Sequence, residues 1–229
     1  MGKRQAIKAK RKRDNLVKQF LTIFGIIIVA VFIVGILIYP SIKINNANQD
    51  LTIPDTVGTY DSIDMGLGDP NAPVTVEIFS DFQCPACGTF ASSEEHNFVE
   101  KYVTTGQVFY VFRPFNFLGQ ESLYAAEAAY CAVEQGDFWS FHDVLYNNLI
   151  GENTGTINDK RLIAYAEAAG LNGDDFTACL ESDTYIDQYM IDNDYARESG
   201  VNATPSFKIG DQVVSYSDLI PLLEEALAK

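Results

Sequence analysis

Val74-Thr75-Val76-Glu77-Ile78-Phe79-Ser80-Asp81-Phe82-Gln83-Cys84-Pro85-Ala86-Cys87 is the stretch that decides how the chain is read. Five of its first seven residues are β-branched or aromatic, with Pro73 ahead of them, the composition of a strand largely buried in a sheet. After Cys87, the apolar residues Phe90, Phe98, Val99 and Tyr102 suit an amphipathic helix that ends near Gly106. The C-x-x-C therefore sits where a strand turns into a helix. At such a helix N-terminus the unpaired backbone N–H groups and the helix dipole stabilise a thiolate, which lowers the pKa of the first cysteine. Pro85 fits in the first turn, where its missing donor costs little.

A C-x-x-C taken alone is equally a zinc half-site, a redox centre or a coincidence. The chain has four cysteines, at 84, 87, 131 and 179, and two histidines, His96 and His142. Zinc would need two more ligands, yet Cys131 and Cys179 lie 48 residues apart and neither belongs to a second C-x-x-C. Both histidines fall in helical segments, where an exposed or hydrogen-bonded imidazole is the commoner reading. No metal and no cofactor is therefore expected.

Ser80-Asp81-Phe82-Gln83-Cys84-Pro85-Ala86-Cys87 resembles the active-site segment of the DsbA-like (BdbD-like) family of thioredoxin-fold proteins. Farther on, Gly200-Val201-Asn202-Ala203-Thr204-Pro205-Ser206-Phe207 resembles the loop in which that family carries a cis-proline opposite its active-site disulfide. From the residues alone, Thr204-Pro205 followed by Ser206 to Ile209 and Gly210-Asp211 reads as a strand and a hairpin turn, and an ordinary trans-proline starting an edge strand stays open. The resemblance implies an α/β, thioredoxin-like fold. It implies Cys84 as the exposed nucleophile, Cys87 as the buried resolving thiol, and a Thr204 backbone that faces Cys84 and pairs with an extended substrate segment.

Between a second strand at Gln107 to Phe112 and Pro205, about 90 residues pass, more than one crossover helix needs. Apolar spacing places helices near Gln120 to Gln135, Phe138 to Leu149, Asp159 to Ala169, Gly173 to Glu181 and Thr184 to Ser199. By resemblance this is a helical insertion, at about 118–200. Cys131 in its first helix and Cys179 in its fourth also sit in family-like surroundings, which implies a structural disulfide; two free thiols, or a relay to Cys84, are the other readings. Gln212 to Tyr216 reads as a last strand, and a last helix is expected from Asp218 with Ser217 as N-cap.

Two positions depart from the family pattern. The dipeptide Pro85-Ala86 stands where the most oxidising members carry Pro-His, which implies a weaker oxidant. Many relatives carry a buried Glu six residues before the first cysteine; here Ile78 occupies that position and the acid is Glu77. Glu77 reads either as a buried proton acceptor in a slipped register or as a carboxylate facing solvent or the insertion, because one step along a strand reverses the face. Asp81 reads as a turn residue, with a modest electrostatic role as the second reading.

Outward from the core, charge is uneven. Eight of the 16 Lys and Arg residues fall within the first 18 positions, and the rest of the chain after Tyr39 sets eight bases against 30 acids. So acidic a surface excludes binding to nucleic acid through phosphate neutralisation. A composition 47% hydrophobic and 21% charged excludes disorder and a polytopic membrane protein.

Phe20 to Tyr39 carries no charge and as a helix would span about 30 Å, the thickness of a bilayer's hydrocarbon core. With the basic cluster before it, the run reads as one uncleaved transmembrane signal anchor; a cleaved signal peptide is the competing reading. The expected organisation is a cytoplasmic basic tail at 1–19, the anchor at 20–39, a linker at 40–67 and an extracytoplasmic domain at 68–229 of a single-pass cell-membrane protein.

Together these readings expect a thiol-disulfide oxidoreductase that introduces disulfides into unfolded or reduced secreted and surface proteins. A DsbB-like or VKOR-like membrane protein would reoxidise it. The alternatives are a reductase or isomerase of the same fold, and a non-enzymatic tethered domain that binds a peptide or a soft metal.

Overall fold

The computed structural model describes residues 21, 23–34, 51–56, 60 and 62–229. The chain divides into two compact units, Met1–Asn46 and Ala47–Lys229. In the first, residue 21 and residues 23–34 are helical with exposed side chains. Among the described residues no helix is long and apolar enough to cross a membrane. The basic tail, and both ends of the apolar run at 20–39, lie outside the described residues.

The second unit is built on a six-stranded sheet of order β1-β2-β4-β3-β5-β6. Its centre is β3 (Val74–Ser80), paired parallel to β4 (Val108–Pro114) and antiparallel to β5 (Ser206–Ile209). The β-branched and aromatic run is thus hydrogen-bonded on both edges and covered on both faces. Val76 and Ile78 enter the main core, whereas Phe79 points the other way, into a small cluster with Phe115, Ala196 and Val201. β6 (Gln212–Val214) closes one edge as a hairpin with β5.

At the other edge lie β1 (Ser62–Ile63) and β2 (Gly66–Leu67), the latter paired antiparallel to β4. The folded domain therefore begins upstream of Gly68, and the expected linker at 40–67 is shortened. Thr52 is also tied in, exchanging hydrogen bonds with the Asn148 side chain. Two-residue strands offer too little alternation to be read from sequence.

After the C-x-x-C one continuous helical stretch, α1, runs through Pro85–Phe90, Ala91–Glu95, His96–Phe98 and Val99–Val103, the second and fourth of these segments being π-helical. Hydroxyls of Thr89, Ser92, Ser93 and Thr104 donate to carbonyls one turn back, competing with the backbone ladder where the helix widens. Gly106, at φ +75°, follows its end.

The insertion between β4 and β5 comprises α2 (Gln120–Glu134), α3 (Phe138–Asn147), α4 (Asp159–Ala168), α5 (Gly173–Glu181) and α6 (Gln188–Glu198). Asp137, Asn158 and Asn172 cap α3, α4 and α5 by accepting from first-turn amides. α6 starts at Gln188, later than the expected Thr184, because 182–187 forms turns with Asp183 at φ +50°. The last helix, α7 (Tyr216–Leu227), starts before the expected Asp218: its N-cap is Ser215, not Ser217, and β6 ends at Val214. Cys131 of α2 and Cys179 of α5 form a disulfide.

Candidate active site

Cys84 is the N-cap of α1 with extended backbone (φ −70°, ψ 118°), and Pro85 occupies the first turn. The turn before it closes through a Cys84 N–H bond to the Asp81 carbonyl, 3.0 Å. The thiols of Cys84 and Cys87 are both free and hydrogen-bonded to one another. Both are buried, but Cys84 keeps 8% of its surface exposed against 1% for Cys87, so the first is the more accessible of the pair.

The two thiols are driven apart in acidity. Cys84 is lowered to about 6, chiefly by the hydrogen bond from Cys87, against the opposing effect of burial, and further by contacts from Thr204 and by the backbone N–H groups of Cys87 and Ala86. The backbone part is the helix N-terminus effect expected from the strand-to-helix context. Cys87 moves far upward, first because it is buried and then because the Cys84 thiolate lies beside it.

Opposite them the Thr204–Pro205 peptide is cis, and the Thr204 carbonyl accepts from the Cys84 thiol at 3.5 Å. The fold thus brings Cys84, Cys87, Thr204 and Pro205 together across 120 residues of sequence. The Thr204 hydroxyl is buried beside the same sulfur, where it helps to hold the Cys84 thiolate.

Asp81 does more than close a turn. Fully buried, its Oδ1 accepts from the Gln83 amide and the Ser122 hydroxyl, and its Oδ2 accepts from the amides of Phe117 and Leu118. A carboxylate with four donors pins the segment before Cys84 to the start of the insertion. Gln83 extends the tie, donating to Ser122 and accepting from the Asn153 amide. On the inner side the Ser80 hydroxyl contacts the Cys87 thiol and pairs with the Tyr146 hydroxyl at 2.8 Å. Gly88 faces the end of α3: a Cβ there would stand 3.6 Å from Tyr146 and 3.2 Å from Leu149, just past the helix.

Glu77 faces the insertion, the second of its two readings. It sits on the opposite face of β3 from Val76 and Ile78, where its carboxylate accepts from Arg113 (2.6 Å), Lys208 (2.8 Å) and Tyr195 (2.8 Å). Burial alone would raise its pKa, but the bonds from Lys208, Arg113 and Tyr195 outweigh it and hold the carboxyl below its usual value. It is a charge-paired strut between β3, β4, β5 and α6, not a proton acceptor for the cysteines.

Sequence reasoning missed the polar cluster of buried Glu95, Tyr110 and His142 with half-buried Asp143. His142 is held between two carboxylates, Asp143 at 2.9 Å on Nδ1 and Glu95 at 3.5 Å on Nε2, and Tyr110 donates to Glu95 at 2.7 Å. Burial raises the Glu95 pKa; for His142 burial acts downward, and the charges of Glu95 and Asp143 reverse it, so the imidazole titrates above its usual value. Glu95, His142 and Asp143 are the described residues whose ligand-type atoms lie within 4.8 Å of one another. Both imidazole nitrogens are already engaged by the carboxylates, which is the arrangement of an ion-pair network. With Cys131 and Cys179 bonded to each other, no four-cysteine zinc set forms.

Comparison with known proteins agrees with this geometry. Residues 61–227 match the family model described as Thioredoxin. The chain is 28% identical over 175 residues to the "Probable disulfide bond formation protein D" of Bacillus anthracis, covering 73% of this chain and 80% of that protein. It is 26% identical to the "Disulfide bond formation protein D" of Bacillus subtilis over 168 residues, 70% of this chain and 76% of that one. The crystal structure of oxidised BdbD from Bacillus subtilis superposes with a TM-score of 0.67 at 25% identity, covering 74% of this chain and 97% of that chain.

Proposed function

Because the chain belongs to the thioredoxin family, we propose that it is a thiol-disulfide oxidoreductase working as an oxidase, with Cys84 and Cys87 as its redox pair. The observation that carries this reading is the split between the two sulfurs: the more accessible Cys84 lowered to about 6 beside the more deeply buried Cys87 shifted upward. A substrate thiolate attacks the Cys84–Cys87 disulfide at Cys84, and the electron pair of the broken bond leaves on Cys87, which takes a proton. A second substrate thiolate then attacks the substrate sulfur of the mixed disulfide, releasing Cys84 as thiolate and the substrate as disulfide. Two electrons pass from the substrate dithiol to the protein.

A stabilised Cys84 thiolate favours the reduced protein and so makes its disulfide more oxidising. Lowering the pKa from 9.0 to about 6 favours the reduced form at pH 7 by at most about tenfold, which is about 1.4 kcal/mol or 30 mV. Solvent screening at the more accessible sulfur trims that figure. The effect is modest, in keeping with Pro85-Ala86 in place of Pro-His.

Thr204 and Pro205 form the platform on which an extended substrate strand pairs, and Pro85, Ala86 and Asp81 shape the turn that presents Cys84. The substrates are unfolded or reduced proteins outside the cytoplasm. The apolar run at 20–39 acts as a single-pass signal anchor behind a cytoplasmic basic tail, and a DsbB-like or VKOR-like membrane protein reoxidises the pair. The charge pattern around that run supports this topology.

The test is oxidation of a reduced dicysteine peptide by the full-length oxidised protein. Wild type should convert it stoichiometrically and Cys84→Ser should be inert; reduced Cys87→Ser, given the peptide in its disulfide form, should attack it with Cys84 and hold it as a mixed disulfide, the other peptide sulfur leaving as thiolate. Titration in glutathione buffer sets the direction: a potential near that of thioredoxin, about −270 mV, would make the protein a reductase instead.

A further inference from the structure

The helical insertion contains a second feature that the redox chemistry does not use. A cavity of about 260 Å³ opens between α2, α4 and α5, walled by Glu127, Asp159, Glu181 and Asp183 together with the apolar Ile163 and Leu180. That is below the roughly 300–1,000 Å³ of sites that hold drug-sized molecules, and it suits a single side chain. The Cys131–Cys179 disulfide ties α2 to α5, so two of the walls are covalently held together.

Glu127 is the informative residue. It is only 5% exposed, and its Oε1 is buried with no hydrogen-bond partner. Burying such an oxygen without a partner costs about 1–3 kcal/mol. Burial, and then Asp183 and Asp159, raise its pKa; the charges acting on it are all acidic. A neutral apolar occupant would leave the oxygen unpaired and the acids mutually repelling, whereas a cation would answer both.

The acids do not converge as a metal site would require. Ligand oxygens around a divalent ion sit 2.0–2.6 Å from it, hence within about 5 Å of one another. Among the described residues, groups of three ligand-type side chains that close are limited to Glu95, His142 and Asp143. Dispersed carboxylates over an aliphatic wall match instead a cation on an alkyl stem, the form in which lysine and arginine bury their methylenes and present their charge.

We propose that this pocket receives a lysine or arginine side chain of a polypeptide partner, the stem lying on Ile163 and Leu180 and the charged head meeting Glu127. The occupant thus docks on the insertion, independently of Cys84. The proposal does not rest on the direction of the redox reaction.

The test uses the full-length chain in detergent micelles, with the methyl resonances of Ile163 and Leu180 followed by NMR. Nα-acetyl-lysine amide should cause saturable shifts, and Nα-acetyl-norleucine amide, which has the stem without the charge, should not. Glu127→Gln should weaken the lysine probe at least tenfold while thermal unfolding and Cys84 alkylation stay as in wild type. Should that variant fail to fold, Asp183→Asn at the exposed rim should weaken it by about threefold. Equal shifts from norleucine, shifts that persist unchanged in the folded variants, or no shift at all would overturn the proposal. So would calcium chloride producing the shifts in place of the amine, or cadaverine binding far more tightly than the lysine probe, which would point to a free polyamine.

Discussion

Removing either partner of the Glu95–His142 pair should cost more stability than removing both. The two charged groups are buried and 3.5 Å apart. At an effective dielectric constant of 20 their attraction is about 5 kcal/mol. Most of that is spent on desolvating the ions, so the pair need contribute little net, but an orphaned partner keeps the penalty without the attraction. We expect His142→Ala to destabilise by about 3–5 kcal/mol. Glu95→Gln, which keeps the shape and the bond from Tyr110, should cost less, and a double-mutant cycle should give a coupling of about 2–5 kcal/mol.

The pH dependence carries a definite sign. Both folded-state pKa values lie above their model values of 4.5 for Glu95 and 6.5 for His142. The folded state therefore binds protons more tightly, and the stability from His142 is fully present below pH 6.5 and lost as pH rises through its raised folded value. Urea denaturation of wild type and the three variants at pH 6, 7 and 8 measures both quantities. Additivity within about 0.5 kcal/mol, or a wild-type minus variant difference that grows with pH, would refute the ion-pair description.

Three other outcomes follow from the same contacts. Cys131→Ser with Cys179→Ser opens a loop of sequence separation 48, and the chain-entropy model puts the loss at about 4 kcal/mol; thermal denaturation under non-reducing conditions measures it, with peptide oxidation by Cys84 retained. Asp81→Asn turns one acceptor oxygen into a donor against N–H and O–H groups, so it should destabilise by about 1–3 kcal/mol and slow peptide oxidation, read by denaturation and stopped-flow assay. Glu77, with its pKa depressed below 4.5, gives stability that is present above that value and lost as pH falls through the folded value; acid unfolding of Glu77→Gln should show a shallower pH slope than wild type.

What the sequence discloses and what it hides divide along range of interaction. The strand at β3, the turn at Cys84-Pro85-Ala86-Cys87 and the five insertion helices are legible because periodicity and N-terminal chemistry are local. Helix starts were less legible: Ser215 and Ser217 are both competent caps two residues apart, and only the end of β6 at Val214 decides for Ser215. Asp81 looks like a turn residue because two of its donors, Phe117 and Leu118, lie 36 and 37 residues on. Glu77 is ambiguous until its partners on β4, β5 and α6 are in place. His142 and Glu95 belong to different helices, and no spacing rule links them. The hairpin β1–β2 escapes notice because two-residue strands owe their pairing to β4 rather than to their own sequence.

The central claim is that Cys84 is the more accessible, acidified nucleophile and Cys87 its more deeply buried partner. Its most direct test is the rate of iodoacetamide alkylation of the reduced full-length protein between pH 4 and 10, with the alkylated residue identified by mass spectrometry. The account predicts modification at Cys84 alone, with a midpoint of about 6, and no reaction in that range for Cys84→Ser. A midpoint near the ordinary thiol value of about 8.5, or equal labelling of Cys87, would contradict it.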